Sequence, residues 1–148
     1  MSVTTIRLFD FEANNYRLET ERNVGIPPKI KALKELIDNA DGIIISTPEY
    51  NSSIPAGLKN TIDWLSRIEN KFLDGKPSLL MSTSNGGRGA QSALEHLNMI
   101  LTYRGAQITG TFSLPRFGES LNEGNLQENQ QRLLKEKLNE FEEAVLRS

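Results

Sequence analysis

The sequence predicts a doubly wound α/β fold, in which parallel strands form one sheet with helices on both faces. Short apolar runs without alternation, such as residues 43–47, are typical of parallel strands that are covered on both sides. Segments with apolar residues at helical spacing alternate with these runs along the chain. Because the connections are short, right-handed crossovers are expected to place a helix over each pair of strands.

The first half of the chain predicts two strands and two helices. The β-branched residues of segment 3–8 indicate a strand, and the polar stretch after it has no sustained period. Pro28 opens a helix that ends near Asn39, since proline is favoured in a first helical turn. A strand at 42–47 follows and stops at Pro48, and a second helix extends over residues 55–67.

The second half repeats this alternation. A strand is expected at 78–83, a glycine-rich loop at 84–89, a helix ending near Arg104, and a strand at 108–114. Residues 116–125 are predicted to form a surface loop before a long helix from Leu126 to Val145. Four strands and four helices in a chain of 148 residues predict one domain spanning 1–148.

Composition excludes several function classes. The chain has 17 Lys and Arg against 19 Asp and Glu, so no basic surface is expected that could bind nucleic acid. It has no cysteine and one histidine, His96, which argues against disulfides, thiolate catalysis and metal sites built from Cys and His. No apolar run approaches the length of a membrane span and no signal peptide is visible, so we expect a cytoplasmic protein without membrane contact.

Two loops are candidates for chemistry. In open α/β sheets, ligands bind at the carboxyl ends of the strands. The loop after Thr47 contains Pro48-Glu49-Tyr50-Asn51, and the loop after Thr83 is rich in glycine and leads into a helix N-terminus, where backbone N–H groups favour electron-rich atoms. The glycine loop matches neither the P-loop nor the dinucleotide fingerprint. Adjacent strands would set the two loops side by side, so that they could hold a planar, carbonyl-bearing ring.

Other polar residues have simpler interpretations. His96, in the middle of a helix, is predicted to be a partly exposed packing residue rather than a catalytic one. Glu49 is predicted to be a solvated or backbone-capping carboxylate, and Arg116 a surface side chain. No acid–base residue is therefore expected to act as a catalytic group.

The sequence resembles those of a known family, the NADPH-dependent FMN reductases of flavodoxin-like fold, which include many quinone, azo and chromate reductases. The resemblance is carried by residues 40–67, with P-E-Y-N followed by L-K-N-x-x-D-W, and by residues 75–90. It extends from about Val3 to the C-terminus. It implies that FMN lies at the carboxyl edge of the sheet and that NADPH is the reductant.

The resemblance also implies roles for individual residues. Pro48, Glu49, Tyr50 and Asn51 match the motif that lines the isoalloxazine ring in the family. The glycine loop would contact the polar edge of that ring through four residues: Ser84, Gly86, Gly87 and Arg88. Inside the helix, Lys59, Asn60, Asp63 and Trp64 are interpreted as fold determinants, with Trp64 in the core or at a subunit contact.

The chain departs from the family at its start. The family begins with a strand, a phosphate-binding loop and a helix, about 30 residues that form one βα unit, whereas this chain starts at what resembles the second strand. Three outcomes are open: segment 3–8 pairs directly with the next strand, another chain supplies the missing strand, or the product is truncated and poorly stable. Losing two charge-assisted hydrogen bonds to the phosphate would weaken FMN binding on the order of a hundredfold.

Two functions follow as hypotheses. The first is a cytoplasmic flavin enzyme that transfers hydride from NAD(P)H to FMN and on to a quinone, azo or similar small-molecule acceptor, with the protein supplying orientation. The resemblance implies a homodimer or homotetramer, with residues 55–67 and the loop near Tyr50 as contact candidates. The alternative is a non-catalytic flavodoxin-like remnant that acts as a binding or assembly module, or a fragment that a partner completes.

Overall fold

A computed structural model describes residues 2–148 of this chain. Its elements follow one another in an α/β order that begins with a 3₁₀ turn at Leu8–Phe11. The helices are α1 (Leu18–Val24), α2 (Pro28–Asp38), α3 (Ala56–Ile68), α4 (Gln91–Tyr103) and α5 (Glu128–Arg147). The strands are β1 (Ile43–Pro48), β2 (Pro77–Thr83), β3 (Gln107–Leu114), β4 (Leu121–Asn122) and β5 (Asn125–Leu126).

Three parallel strands form the main sheet in the order β1-β2-β3. Ile45 pairs with Leu80, and Leu80 pairs in turn with Thr111. The central strand β2 is the most buried of the three, as its continuous apolar sequence predicts. Strands β4 and β5 form a separate antiparallel hairpin inside the segment that was predicted to be a loop.

Helices cover both faces of the sheet, which confirms the doubly wound architecture. On one face, Leu80 belongs to a core that also holds buried side chains of α2, α3 and α4, among them Ile30, Trp64 and Leu97. On the other face, α5 packs against β2 and β3. Glycine permits this close packing, because a Cβ at Gly42 would lie 2.6 Å from Val145 Cγ2.

The predicted strand at residues 3–8 is wrong. Residues 2–7 belong to no strand or helix, and Val3 is 78% exposed. Residues with a high strand propensity form a strand only where a neighbouring strand supplies backbone hydrogen-bond partners. Segment 3–8 pairs with no strand of the described chain. The sheet therefore has three strands in place of the four expected, and direct pairing of segment 3–8 with the next strand is excluded. Within residues 2–148, the outer edge of β1 carries no partner strand, and Ile44 on it is 42% exposed.

The segment between the 3₁₀ turn and α1 is held by two side chains of α3. The Asn60 amide accepts a hydrogen bond from Tyr16 N at 2.7 Å and donates to Ala13 O at 3.0 Å. The Trp64 indole, fully buried, donates to Asn14 O at 2.8 Å. The interpretation of Asn60 and Trp64 as fold determinants is confirmed, with Trp64 in the core.

Helix α1 was missed because its seven residues show no apolar period. Its Glu21 bonds to Arg67 of α3, with Nε 3.0 Å from the carboxylate, and this contact fastens α1 in place.

Across the described chain, no helix combines the length and apolar character that crossing a membrane requires.

Candidate functional site

The carboxyl ends of the three parallel strands meet along one rim. Pro48 of β1 is the register partner of Thr83, and Thr83 is the partner of Leu114. Side chains of β2 join these ends, since Ser82 Oγ donates to Thr47 O at 2.6 Å and Thr83 Oγ1 donates to Leu114 O at 2.8 Å. The loops that follow the strands therefore start side by side, as the sequence predicted.

The loop after β1 forms a tight turn, here called the Tyr50 turn and comprising Glu49–Ser53. Tyr50 and Ser53 exchange two backbone hydrogen bonds, with N···O distances of 2.9 and 3.1 Å. Asn51 and Ser52 between them have φ values of 50° and 60°. Two successive left-handed residues are the mark of a type I′ turn. The turn leaves the Tyr50 side chain 61% exposed at the rim.

The Tyr50 turn is attached to α4 at both of its ends. Glu49 Oε2 accepts a hydrogen bond from Ala93 N at 3.2 Å, which confirms the prediction of a backbone-capping carboxylate. Ser53 Oγ lies 2.7 Å from His96 Nδ1. His96 is partly buried, as expected for a packing residue, but its bond to Ser53 was not foreseen.

The loop after β2, residues 84–90, is called the glycine loop. Its last glycine, Gly89, has a φ of 58°, and a Cβ there would lie 2.3 Å from Ser113 Oγ and 2.8 Å from Pro115 N. Gly89 is therefore required by the fold itself. Ala90 follows with a φ of 62° and precedes the first turn of α4.

Gly86 and Gly87 differ from Gly89, because no packing contact requires a glycine at either position. Neither has a positive φ, and the nearest neighbours of an added Cβ are Ser84 Oγ at 3.7 Å and Arg116 Nε at 3.9 Å. Within residues 2–148, the N–H groups of Gly86, Gly87 and Arg88 donate no hydrogen bond to another protein group. Open space and free donors at a loop rim are what close approach of a ligand requires.

The loop after β3 pairs with the glycine loop, which sequence reasoning did not foresee. Arg116 N donates to Gly86 O at 3.1 Å, and Phe117 N donates to Ser84 O at 3.1 Å. Arg116 has a φ of 48°, a conformation that a non-glycine residue adopts at some strain. Its side chain is 65% exposed, in agreement with the predicted surface position.

The structure brings together both groups of predicted residues at one rim. Pro48, Glu49, Tyr50 and Asn51 stand at the end of β1, and Ser84, Gly86 and Gly87 stand at the end of β2. Arg88 is in the same loop, but its guanidinium donates to Ser92 Oγ at 2.9 Å along α4.

Two cavities of the described chain lie away from the rim. One cavity of about 330 Å³ lies beside α5, and another of about 370 Å³ lies between the segment at residues 12–15 and the start of α3. Neither is lined by a residue of the Tyr50 turn or the glycine loop.

A parallel α/β sheet with ligand-accessible loops at its carboxyl edge is the arrangement of cofactor-binding proteins of the doubly wound class. The model of the NADPH-dependent FMN reductase family matches residues 1–119, and the chain belongs to this family. This confirms the resemblance found in the sequence.

Curated relatives agree with the family. The quinone reductase of Escherichia coli strain K12 is 38% identical over 121 residues, which cover 75% of this chain and 64% of that protein. The NADPH:quinone oxidoreductase of Arabidopsis thaliana is 42% identical over 82 residues, which cover 55% of this chain and 41% of that protein. The chain therefore spans less than two thirds of the length of these relatives.

Solved structures show the same fold, which is flavodoxin-like. FerB, a flavoenzyme NAD(P)H:(acceptor) oxidoreductase from Paracoccus denitrificans, superimposes with a TM-score of 0.76 at 26% identity, covering 95% of this chain and 78% of FerB. An oxidoreductase from Corynebacterium diphtheriae gives a TM-score of 0.74 at 22% identity, covering 99% of this chain and 77% of its own. The second likeness shows the fold alone.

Proposed function

We propose that this chain is an FMN-dependent NAD(P)H oxidoreductase that reduces quinones. The observation that carries the proposal is the pair Gly86 and Gly87 beside the exposed Tyr50. Their N–H groups bond to no other group of the described chain, and a Cβ on either glycine would meet no atom closer than 3.7 Å. Family membership supports the cofactor, and the names of the relatives support the acceptor class.

The residues at the rim fit an isoalloxazine ring. Such a ring is flat, carries carbonyl oxygens on one edge, and presents an extended apolar face. The free N–H groups of the glycine loop are suited to donate hydrogen bonds to the oxygen-bearing edge of the ring. The Tyr50 turn supplies an aromatic surface on the adjacent strand end, and the absence of a Cβ at Gly86 and Gly87 lets a ring approach the backbone closely.

On this proposal, Pro48, Glu49, Tyr50 and Asn51 line one side of the ring. The other side is lined by residues of the glycine loop: Ser84, Gly86, Gly87 and Arg88. Bound FMN supplies the redox chemistry that passes two electrons from NAD(P)H to the acceptor. The protein contributes binding, orientation and the electrostatic environment of the ring edge, and no side chain needs to act as an acid or base.

One finer feature, the subunit number, belongs to the same proposal. The chain is proposed to act as a homo-oligomer. Large exposed apolar side chains support this: Tyr50 at the rim is 61% exposed, and Met99 and Tyr103 in the second half of α4 are 65% and 70% exposed. Light scattering on the purified protein measures the subunit number, and a monomer at all concentrations contradicts this part of the proposal.

The central experiment is a flavin titration followed by an activity assay. Binding of FMN to the purified, flavin-free protein is expected to change FMN fluorescence saturably, and riboflavin reports whether the ring alone suffices. NAD(P)H oxidation with a benzoquinone is then expected to depend on added FMN. A protein that leaves FMN fluorescence unchanged at millimolar concentration, and does not oxidise NAD(P)H, contradicts the proposal.

A further inference from the structure

The Tyr50 turn holds a strained conformation that its own sequence does not favour. Type I′ turns prefer Asn-Gly at the two central positions, because glycine adopts a positive φ without penalty. This turn has Asn51-Ser52 there, with φ values of 50° and 60°. Asparagine tolerates the left-handed region, whereas serine does so less readily. Contacts from outside the turn must therefore help to hold its shape.

Those contacts come from a single helix. Ala93 and His96 lie one turn apart on α4, and they bond to Glu49 and Ser53, the first and last residues of the turn. The bond between Ser53 Oγ and His96 Nδ1, at 2.7 Å, joins two side chains that are both partly buried. It lies next to the backbone pairing of Ser53 with Tyr50, so a change at His96 is transmitted directly to Tyr50.

The same helix begins where the glycine loop ends. Gln91 N, at the start of α4, donates to Arg88 O at 3.1 Å, and Gly89 N donates to Gly86 O at 3.2 Å, so α4 and the glycine loop are connected by successive hydrogen bonds. Helix α4 therefore touches both sides of the proposed ring site. The pairing of β1 with β2 places the two loops side by side, and the bonds that the Tyr50 turn makes to α4 add a second constraint on its position.

We propose that His96 is a positioning residue for the flavin site: through Ser53 it orients the Tyr50 turn against the glycine loop. The inference rests on the proposed function, since it deepens the assignment of the rim as an FMN site. It requires no proton transfer by His96 and no contact of His96 with the cofactor. A merely structural role would lower stability without changing how tightly the remaining folded protein binds FMN.

Two substitutions at the same position separate these roles. The amide of asparagine reaches as far from Cα as histidine Nδ1, so His96→Asn can keep the bond to Ser53. The amide of glutamine reaches as far as Nε2, so His96→Gln places its polar atoms beyond Ser53 and loses the bond. Ser53→Ala removes the same bond from the other side. Thr102→Ala, which removes an exposed hydrogen bond to Asn98 two turns along α4, is the matched control.

The experiment measures FMN dissociation constants by fluorescence titration and amide hydrogen exchange of Tyr50 and Ser53 in each variant. His96→Gln and Ser53→Ala are each expected to weaken FMN binding about 3-fold to 10-fold, the effect of one hydrogen bond. The double variant is expected to bind no more weakly than either single one, because both remove one interaction. Both amides are expected to exchange faster in these variants, while His96→Asn and Thr102→Ala stay close to the parent protein.

Each other outcome overturns the inference. If the parent protein binds FMN and His96→Gln binds it equally well, the positioning role is wrong while the proposed function stands. Additive losses in the double variant show that His96 and Ser53 act separately, which also contradicts it. If the parent protein does not bind FMN, the proposed function fails and the inference fails with it. Hydrogen exchange then still reports whether His96 holds the turn.

Discussion

Glycines of the same loop differ in what they do for the protein. Gly89 stands where a positive φ and two close neighbours, Ser113 Oγ and Pro115 N, leave no room for a Cβ. Gly86 and Gly87 have neither constraint. Packing explains Gly89, whereas at the carboxyl edge of the sheet Gly86 and Gly87 leave room for a ligand that approaches the backbone.

Two alanine substitutions test this distinction. Gly89→Ala is expected to lower the free energy of unfolding by about 2 to 4 kcal/mol, from left-handed strain and overpacking. Gly87→Ala is expected to change it by less than about 0.5 kcal/mol, as at an open surface site. The same methyl group at residue 87 is expected to weaken FMN binding roughly 10-fold to 100-fold, because it overlaps the ring.

Urea unfolding and fluorescence titration give the two quantities for each variant. Gly118, which also has open space around it but lies outside the glycine loop, provides the control substitution Gly118→Ala. If Gly87→Ala binds FMN as tightly as Gly118→Ala does, the ring does not lie against Gly87.

At the scale of elements, α3 organises the segment that precedes it. Asn60 bonds to three backbone groups of residues 13–16, and Trp64 bonds to one of the same three, Asn14 O. The ring of Tyr16 packs edge-on against Trp64, with centroids 5.0 Å apart. One helix face thus holds residues 13–16 in place, although neither they nor segment 3–8 pair with a strand.

Removing the Asn60 amide tests this role. Asn60→Ala leaves Tyr16 N and Ala13 O without their partner, while Asn14 O keeps its bond from Trp64, and we expect a loss of about 1 to 3 kcal/mol in the free energy of unfolding. The Tyr16 amide is expected to exchange hydrogen faster, because its acceptor at 2.7 Å is gone. Ser66→Ala, which removes a bond from the same helix to its own Asp63 O, is the control and is expected to leave Tyr16 unchanged. Equal exchange rates in the two variants would contradict the role.

At the scale of the whole molecule, charged contacts bind the N-terminal segment to the α/β core. The hydrogen bond that Tyr16 donates, followed by those from Arg67, lowers the pKa of the Glu21 carboxyl. The hydrogen bond to Glu21 in turn raises the pKa of the Tyr16 phenol. In α2, burial lowers the pKa of Lys34, but hydrogen bonds to Asp38 and Glu69 outweigh this effect and raise the pKa above its usual value.

The sign of the Glu21 shift predicts how stability depends on pH. A carboxyl whose pKa is lowered by folding contributes stability above its unfolded pKa, about 4.3, and this contribution is lost as the pH falls through the lower folded value. Glu21→Gln is therefore expected to reduce stability at pH 7 and to flatten the decline between pH 5 and pH 3. The measurement is the free energy of unfolding in urea across this range. Parallel pH profiles for the parent and Glu21→Gln would show that the network contributes nothing to folding.

Most elements could be predicted because their signals are local. The run at 43–47 is apolar without alternation, the run at 78–83 centres on Leu79 and Leu80, and the run at 108–114 alternates apolar with polar residues. Helices α2, α3 and α4 repeat apolar residues at helical spacing. Segment 3–8 carries the same local signal and is not a strand, since a strand also requires a hydrogen-bonded neighbour. His96 was dismissed because its partner, Ser53, lies 43 residues away, and no pattern in the sequence links them.

The alternation of strands and helices, the two loops at the carboxyl edge and the family resemblance could all be predicted from the sequence. These depend on residue type and spacing along the chain. Three findings required the folded structure: segment 3–8 is unpaired, and Gly87 has room for a Cβ while Gly89 does not. The third is that His96 of α4 bonds to Ser53 of the Tyr50 turn. Each of these depends on which distant groups come within contact distance, and spacing along the chain does not encode that distance.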